Sequence, residues 1–145
     1  MALVVAGCKN SRVYDHYEHT PLSGWEKNDT LFFDIPPVAQ GGSFHEELSL
    51  RVNGAYPFMQ LSMIVEQMQL PMGFHRADTL NLKLQDHDGR VMGHGVNYFQ
   101  YSFPITNLQL NSGDSLHVIV RHNMKREILP GIADVGFRLV SLSND

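Results

Sequence analysis

One cysteine, Cys8, stands in a chain of 145 residues. A single thiol excludes an internal disulfide, so the fold must rest on a packed core and not on covalent staples. Charge is sparse as well: Asp, Glu, Lys and Arg make up 18% of the residues and the formal net charge is −4. The clustered Lys and Arg that neutralise phosphates are missing, which argues against nucleic acid as a partner. No apolar run approaches the roughly 18 residues needed to span a bilayer as a helix. There is no convincing helical stripe, no internal repeat, no G-x-S-x-G nucleophile elbow and no H-E-x-x-H zinc helix.

What the chain does have is alternation with a period of two. From Phe44 to Asn53, Phe44, Leu48, Leu50 and Val52 alternate with His45, Glu47, Ser49, Arg51 and Asn53. Successive side chains of a strand point to opposite faces, so this is a strand with one dry and one wet side. The same pattern recurs at 58–66 (Met59, Leu61, Met63, Val65), 79–84 (Leu80, Leu82, Leu84), 115–121 (Leu116, Val118, Val120) and 133–139 (Val135, Phe137, Leu139). Two further runs are apolar with weaker alternation, 30–35 and the aromatic-rich 96–103, and 13–19 reads as an edge strand. Pro36-Pro37, Gly41-Gly42, Asn53-Gly54, Asp88-Gly89 and Asn111-Ser112-Gly113-Asp114 supply the turns between them. The short stretch 66–70 reads as a single turn closed by Pro71 and Gly73. Eight or so short strands at this spacing predict an all-β fold, an antiparallel β-sandwich, with jelly-roll and immunoglobulin-like orders both compatible.

Cys8 follows Leu3-Val4-Val5-Ala6-Gly7. Small residues directly before a cysteine near an N-terminus form the cleavage signature of a bacterial lipoprotein signal, with the thiol carrying a diacylglycerol. The expected organisation is therefore a residual signal-peptide segment at 1–7 and one β-sandwich domain at 8–145. The basic n-region and an apolar core of about 7–15 residues that such a signal needs are not complete upstream of Cys8. The competing reading is an ordinary N-terminal strand that ends in a buried cysteine.

Candidate chemistry is thin. Asp86-His87-Asp88-Gly89 presents alternate carboxylates before a glycine, as calcium loops do, but Arg90-Val91-Met92 follow where further ligands are needed, and a hairpin turn is the simpler reading. His16 and His19, and likewise His117 and His122, are spaced so that a strand points them to opposite faces, which separates them as metal ligands. Glu46 interrupts an apolar face; strand-end exposure explains it more simply than a raised pKa. His94, between Gly93 and Gly95, marks a bulge or a partner-binding loop. Trp25, Tyr98 and Tyr101 could form a sugar platform if exposed. No catalytic constellation, metal site or cofactor site emerges.

The ordered features are Cys8, then Val13-Tyr14-Asp15, Trp25, Arg51 and Tyr56-Pro57-Phe58. Ala77-Asp78-Thr79-Leu80 and Asp88-Gly89-Arg90-Val91-Met92-Gly93-His94-Gly95 follow. Met124 and Leu129-Pro130-Gly131-Ile132-Ala133-Asp134-Val135-Gly136-Phe137 come last. This set resembles the gliding-motility-associated lipoprotein family GldH of the Bacteroidota from Cys8 to about Leu142. The resemblance implies a lipid-anchored envelope protein with no known enzymatic activity, tied in gliding members to the motility and type IX secretion machinery. It carries over Cys8 alone, as the lipid-attachment residue. Surface-exported lipoproteins of this phylum carry an acidic run just past the cysteine, whereas Lys9-Asn10-Ser11-Arg12 follow here. The resemblance therefore implies an outer-membrane anchor facing the periplasm.

Three functions follow as expectations. The first is a non-enzymatic scaffold that docks envelope proteins, with His94, Lys125 and Arg126 as docking residues on exposed loops. The second is a glycan- or peptidoglycan-binding module built on Trp25 and a tyrosine. The third is a metal-dependent enzyme.

Overall fold

The computed structural model describes residues 12–84 and 98–142. Cys8, His94 and the Asp86-to-Gly89 loop lie outside the described residues. The alternating segments are strands: β1 (Arg12–His19), β2 (Trp25–Glu26), β3 (Leu31–Ile35), β4 (Gly42–Asn53), β5 (Gln60–Leu70), β6 (Phe74–Lys83), β7 (Tyr98–Leu110), β8 (Ser115–His122), β9 (Ile128–Leu129) and β10 (Ile132–Ser141). No helix occurs among the described residues.

Two four-stranded sheets form, ordered β1-β10-β4-β7 and β3-β8-β5-β6, with β2 and β9 paired separately. Every pairing is antiparallel. Consecutive strands mostly swap sheets, and the first strand lies beside the last, which is the jelly-roll order and not the immunoglobulin one. The inward positions are those the alternation marks. Val135, Phe137 and Leu139 of β10 and Leu48 and Leu50 of β4 are buried opposite Phe33, Met63, Val65, Val118 and Val120. Phe33 and Phe137 meet between the sheets with ring centroids 6.0 Å apart. Full burial of each such side chain is worth about 1.5–3 kcal/mol, so this interior carries the fold without disulfides.

The topology gives the sandwich two distinct ends. At the proximal end Arg12 begins β1 beside Val140, and Gly42 pairs with Leu110. The links 36–41 and 111–114 cross between the sheets there, joined by Val38 N–H to Asp114 O (2.9 Å) and Gly113 N–H to Val38 O (2.8 Å). Leu70 pairs with Ser115, so the β5–β6 hairpin turns at this end too. At the distal end lie His19, Asn53, Tyr98, His122 and the β2–β9 pair.

Several expectations need correction. Residues 66–70 are not a turn: β5 runs through Leu70, and Pro71 and Gly73 shape a hairpin into β6, with Gly73 at φ 82°. β7 continues past residue 103 to Leu110, and β2 and β9 are too short to show a period. Trp25 and Tyr101 are buried, so neither belongs to an exposed ring platform. Trp25 donates from Nε1 to Asp29 O (2.7 Å) and packs edge-on against His122. Met124 N–H donates to His122 Nδ1 (3.2 Å), which leaves Nε2–H to donate to Trp25 O (3.0 Å). Burial pushes the His122 pKa down, which favours this neutral form.

Glu46 is the largest correction. It is not at an exposed strand end but fully buried between the sheets. β4 is central in its sheet and long, so its fifth residue is covered. Gln67 of β5, on the facing sheet, donates to Glu46 Oε1 (2.6 Å), while Oε2 has no partner among the described residues. Lost hydration outweighs that bond and the nearby Arg76 charge and pushes the carboxyl up to about 7 from 4.5. A carboxyl whose folded pKa is raised contributes its stability in full below pH 4.5 and loses it as the pH rises through about 7. The loss amounts to about 3 kcal/mol and is constant at higher pH. Glu46→Gln keeps the bond and removes the ionisation. We expect it to match the parent at pH 4 and to exceed it at pH 8 by roughly 1–3 kcal/mol in urea unfolding.

Candidate functional site

The outer face of the β1-β10-β4-β7 sheet is polar, and its rows follow from the registers. His19, Asp134, Arg51 and Gln100 form one row, and Tyr17, Gly136, Ser49 and Ser102 the next. Asp134 is the hub of the first. Its Oδ2 accepts from Arg51 Nη1 at 3.1 Å, and its Oδ1 bonds His19 Nδ1. The Asp134 side chain is buried, while Arg51 is partly and His19 largely exposed. The Arg51 guanidinium lies over the Tyr17 ring, 4.9 Å from its centroid, a cation–π contact.

Tyr17 reaches so far because Gly136 has no side chain. A Cβ there would come within 2.9 Å of the ring. The ring therefore lies flat across β10, and its hydroxyl accepts from Gln100 Nε2 (2.9 Å) two strands further on. Gly131 plays a different part. It sits at φ 90°, and a Cβ would meet Tyr56 N at 2.3 Å. Its carbonyl accepts from Asn53 N–H (2.8 Å), which fixes the approach of the 53–56 turn to β10.

These contacts wall a cleft of about 650 Å³ at the distal end, lined by His19, Thr20, Leu22, Arg51, Asn53, Tyr98, Gly131 and Asp134 among others. Thr20 is buried; its N–H donates to Ala133 O (3.1 Å) and its hydroxyl donates to Ile132 O. Leu22 is fully exposed and Tyr98 is 51% exposed, so the rim is apolar and the floor charged. The floor carries its own counter-charges. What it offers an incoming group is the partly exposed edge of Arg51 and His19 beside two apolar surfaces.

Residues 12–139 match the family described as GldH lipoprotein. The chain belongs to that family. It is 32% identical over 145 residues to the gliding motility lipoprotein GldH of Flavobacterium johnsoniae, covering 95% of this chain and 90% of the relative. A second relative, named a gliding motility lipoprotein GldH homolog, from Christiangramia forsetii, is 24% identical over 151 residues, with 98% and 91% covered. Among solved structures, a family 35 carbohydrate binding module from Clostridium thermocellum aligns with a TM-score of 0.44 at 8% identity, covering 88% of this chain and 91% of that one. A likeness of that degree bears on neither ligand nor activity.

The structure gathers several of the residues that carry the family resemblance. Arg51, Gly131, Ile132 and Asp134 line the cleft and Gly136 supports it from the next row. Lys125 and Arg126 are exposed on the turn after β8, also at the distal end, held between Met124 and β9. His19 was not legible as a site residue in sequence, where it reads as half of a separated histidine pair. Its partner comes from 115 residues away; the one available signal is that Tyr17 and His19 share a phase on β1. His16 pairs instead with Glu18 (2.6 Å).

Two measurements test this geometry. A double-mutant cycle of Arg51→Ala and Asp134→Ala should give a coupling of about 1–2 kcal/mol in urea unfolding, discounted for the exposure of Arg51. Gly131→Ala should cost about 3 kcal/mol or more, because strain at positive φ adds to collision with backbone.

Proposed function

We propose that this chain is a lipid-anchored envelope protein of the gliding-motility type, non-enzymatic, whose distal cleft docks an extended segment of a partner protein. The carrying observation is the convergence of Arg51, Gly131, Ile132 and Asp134, residues of the family resemblance, on one cleft. The chemistry favours recognition over turnover. Asp134 is already met by Arg51 and His19, and the Thr20 hydroxyl is spent on a backbone carbonyl. The Thr20 hydroxyl is therefore not aligned with a base. Arg51 suits a carboxylate or carbonyl of the incoming segment, and Tyr98 and Leu22 suit its apolar side chains.

In this reading Cys8 carries the lipid, two or more acyl chains hold firmly, and the anchor faces the periplasm from the outer membrane. The turn bearing Lys125 and Arg126 provides a second contact at the same end. The names of the two relatives support the link to gliding motility. The glycan reading loses its indole, since Trp25 is buried and Tyr98 makes no ring contact among the described residues.

The test is photo-cross-linking in native cells from position 98 or 22, with position 81 on the outer face of the other sheet as control. Adducts to one envelope protein of the motility machinery from 98 and 22, absent from 81 and lost when Arg51→Glu is added, are expected. Equal labelling from all three positions would sink the reading.

A further inference from the structure

The β5–β6 hairpin carries an apolar tip that the fold leaves uncovered. Met72 is 69% exposed and Phe74 62%, flanked by half-exposed Leu70 and Met68. The tip is a defined structure: Gly73 N–H donates to Gln69 O at 2.7 Å, and Gln69 Nε2 is held by Asp114 Oδ2 at 2.9 Å. Its apolar surface continues into a depression of about 500 Å³ formed by Ile35, Pro36, Pro37, Met68, Leu70 and Leu116, with Ser115 and the paired Asp34 and His117 also lining it. From Gln67 to Ala77 there is no carboxylate, and the flanking His75 and Arg76 are met by Glu66 (3.7 Å) and Asp78 (2.8 Å) on either side of that stretch. An exposed apolar tip whose flanking charges are already paired is a surface that can enter a headgroup layer.

Position decides what covers it. Arg12 and the hairpin lie at the same end of the sandwich. Strands about 4.8 Å apart and sheets about 10 Å apart put the β1 and β6 corners of that end within about 18 Å of each other. Three residues separate Cys8 from Arg12, and fully extended those four steps reach only about 14 Å. A lipid on Cys8 thus holds this end, and no other, against the bilayer.

The geometry points to the Leu70–Phe74 tip as a membrane seat: a second contact, inserted into the phospholipid interface beside the lipid on Cys8, that stands the sandwich upright with its cleft away from the bilayer. The inference rests on the lipid-anchor reading, and the experiment separates the two. Because Cys8 is the sole thiol, the full chain can be coupled through it to a maleimide lipid in phosphatidylethanolamine–phosphatidylglycerol vesicles with brominated acyl chains. Trp25, buried at the distal end, provides a constant background.

A Met72→Trp chain should be quenched about threefold more than an Ile128→Trp chain, whose probe sits at the distal end, as expected for a side chain at the acyl boundary. Met72→Asp with Phe74→Asp should lower retention on a single-chain lipid by about tenfold or more. Both pairs of positions are exposed, and unchanged urea midpoints will confirm that the fold is kept. Equal quenching at 72 and 128 overturns the seat, and dimerisation accompanying it would assign the tip to a second copy. Mass spectrometry of the protein from its own cells judges the anchor separately. A bare Cys8 thiol there overturns both, whereas a lipidated Cys8 with equal quenching overturns the seat alone.

Discussion

The structure depends on β10, the strand with two obligations. Its inward residues Val135, Phe137 and Leu139 are completely buried and reach across to Phe33. Its outward residues Asp134, Gly136 and Arg138 organise the polar face. Asp134 holds Arg51, Gly136 admits the Tyr17 ring, and Arg138 bonds Glu47 at 3.0 Å and lies 3.5 Å from Asp15. Core and cleft are thus opposite sides of one pleat. A shift of β10 by one residue would put Asp134 into the core and Phe137 into water, so the register is fixed by both faces at once. β10 also pairs with β1, the first strand. That sheet cannot close until the last residues are in place, a long-range requirement that slows folding in jelly-roll chains.

The phase of each long strand was legible in the sequence because it is a local property. Phe44, Leu48, Leu50 and Val52 alternate inward as their spacing demands, and so do Leu116, Val118 and Val120. Strand order was not legible, since β1 finds β10 and β4 finds β7 across intervals no local pattern encodes. The stretch 66–70 failed for another reason. Pro71 and Gly73 mark a reversal whether the residues before them are a turn or a strand, and only the pairing of Gln69 with Leu116 and Phe74 distinguishes the two. At the site, Arg51 and Asp134 stood out by resemblance, but their junction did not. Contact across 83 residues is written in sheet order, not in spacing.

Glu46 shows the same limit from the energetic side. A carboxylate on an apolar strand face is an anomaly in sequence, and its resolution, Gln67, sits on the other sheet. Two polar pairs lie toward the proximal end: Glu46 of β4 bonds Gln67 of β5 across the sheets, and Gln69 bonds Asp114 of the 111–114 link. Toward the distal end the corresponding positions of β5 and β6 are Leu61, Met63, Leu80 and Leu82. The apolar half supplies the driving force. The Glu46–Gln67 bond is costly to bury, but it forms at only one relative placement of the two sheets, so it penalises sliding of one over the other.

That internal polarity matches the outward one. β1 runs from Arg12 to His19 of the cleft in seven steps, about 23 Å, so the cleft stands that far from the end bearing Arg12. A single flexible tether would let such a body lie on its side and bring the cleft against lipid. A tether of three residues changes the energetics of a second contact. It confines the hairpin tip to a thin shell next to the bilayer, an effective concentration far above any free one. Partition of Met72 and Phe74 that would be negligible for a free protein would then suffice to bias orientation, because a lipid on Cys8 would already have met the entropic cost of bringing the chain to the surface. Upright, the molecule would turn the cleft, with its balanced charges and apolar rim, away from the bilayer.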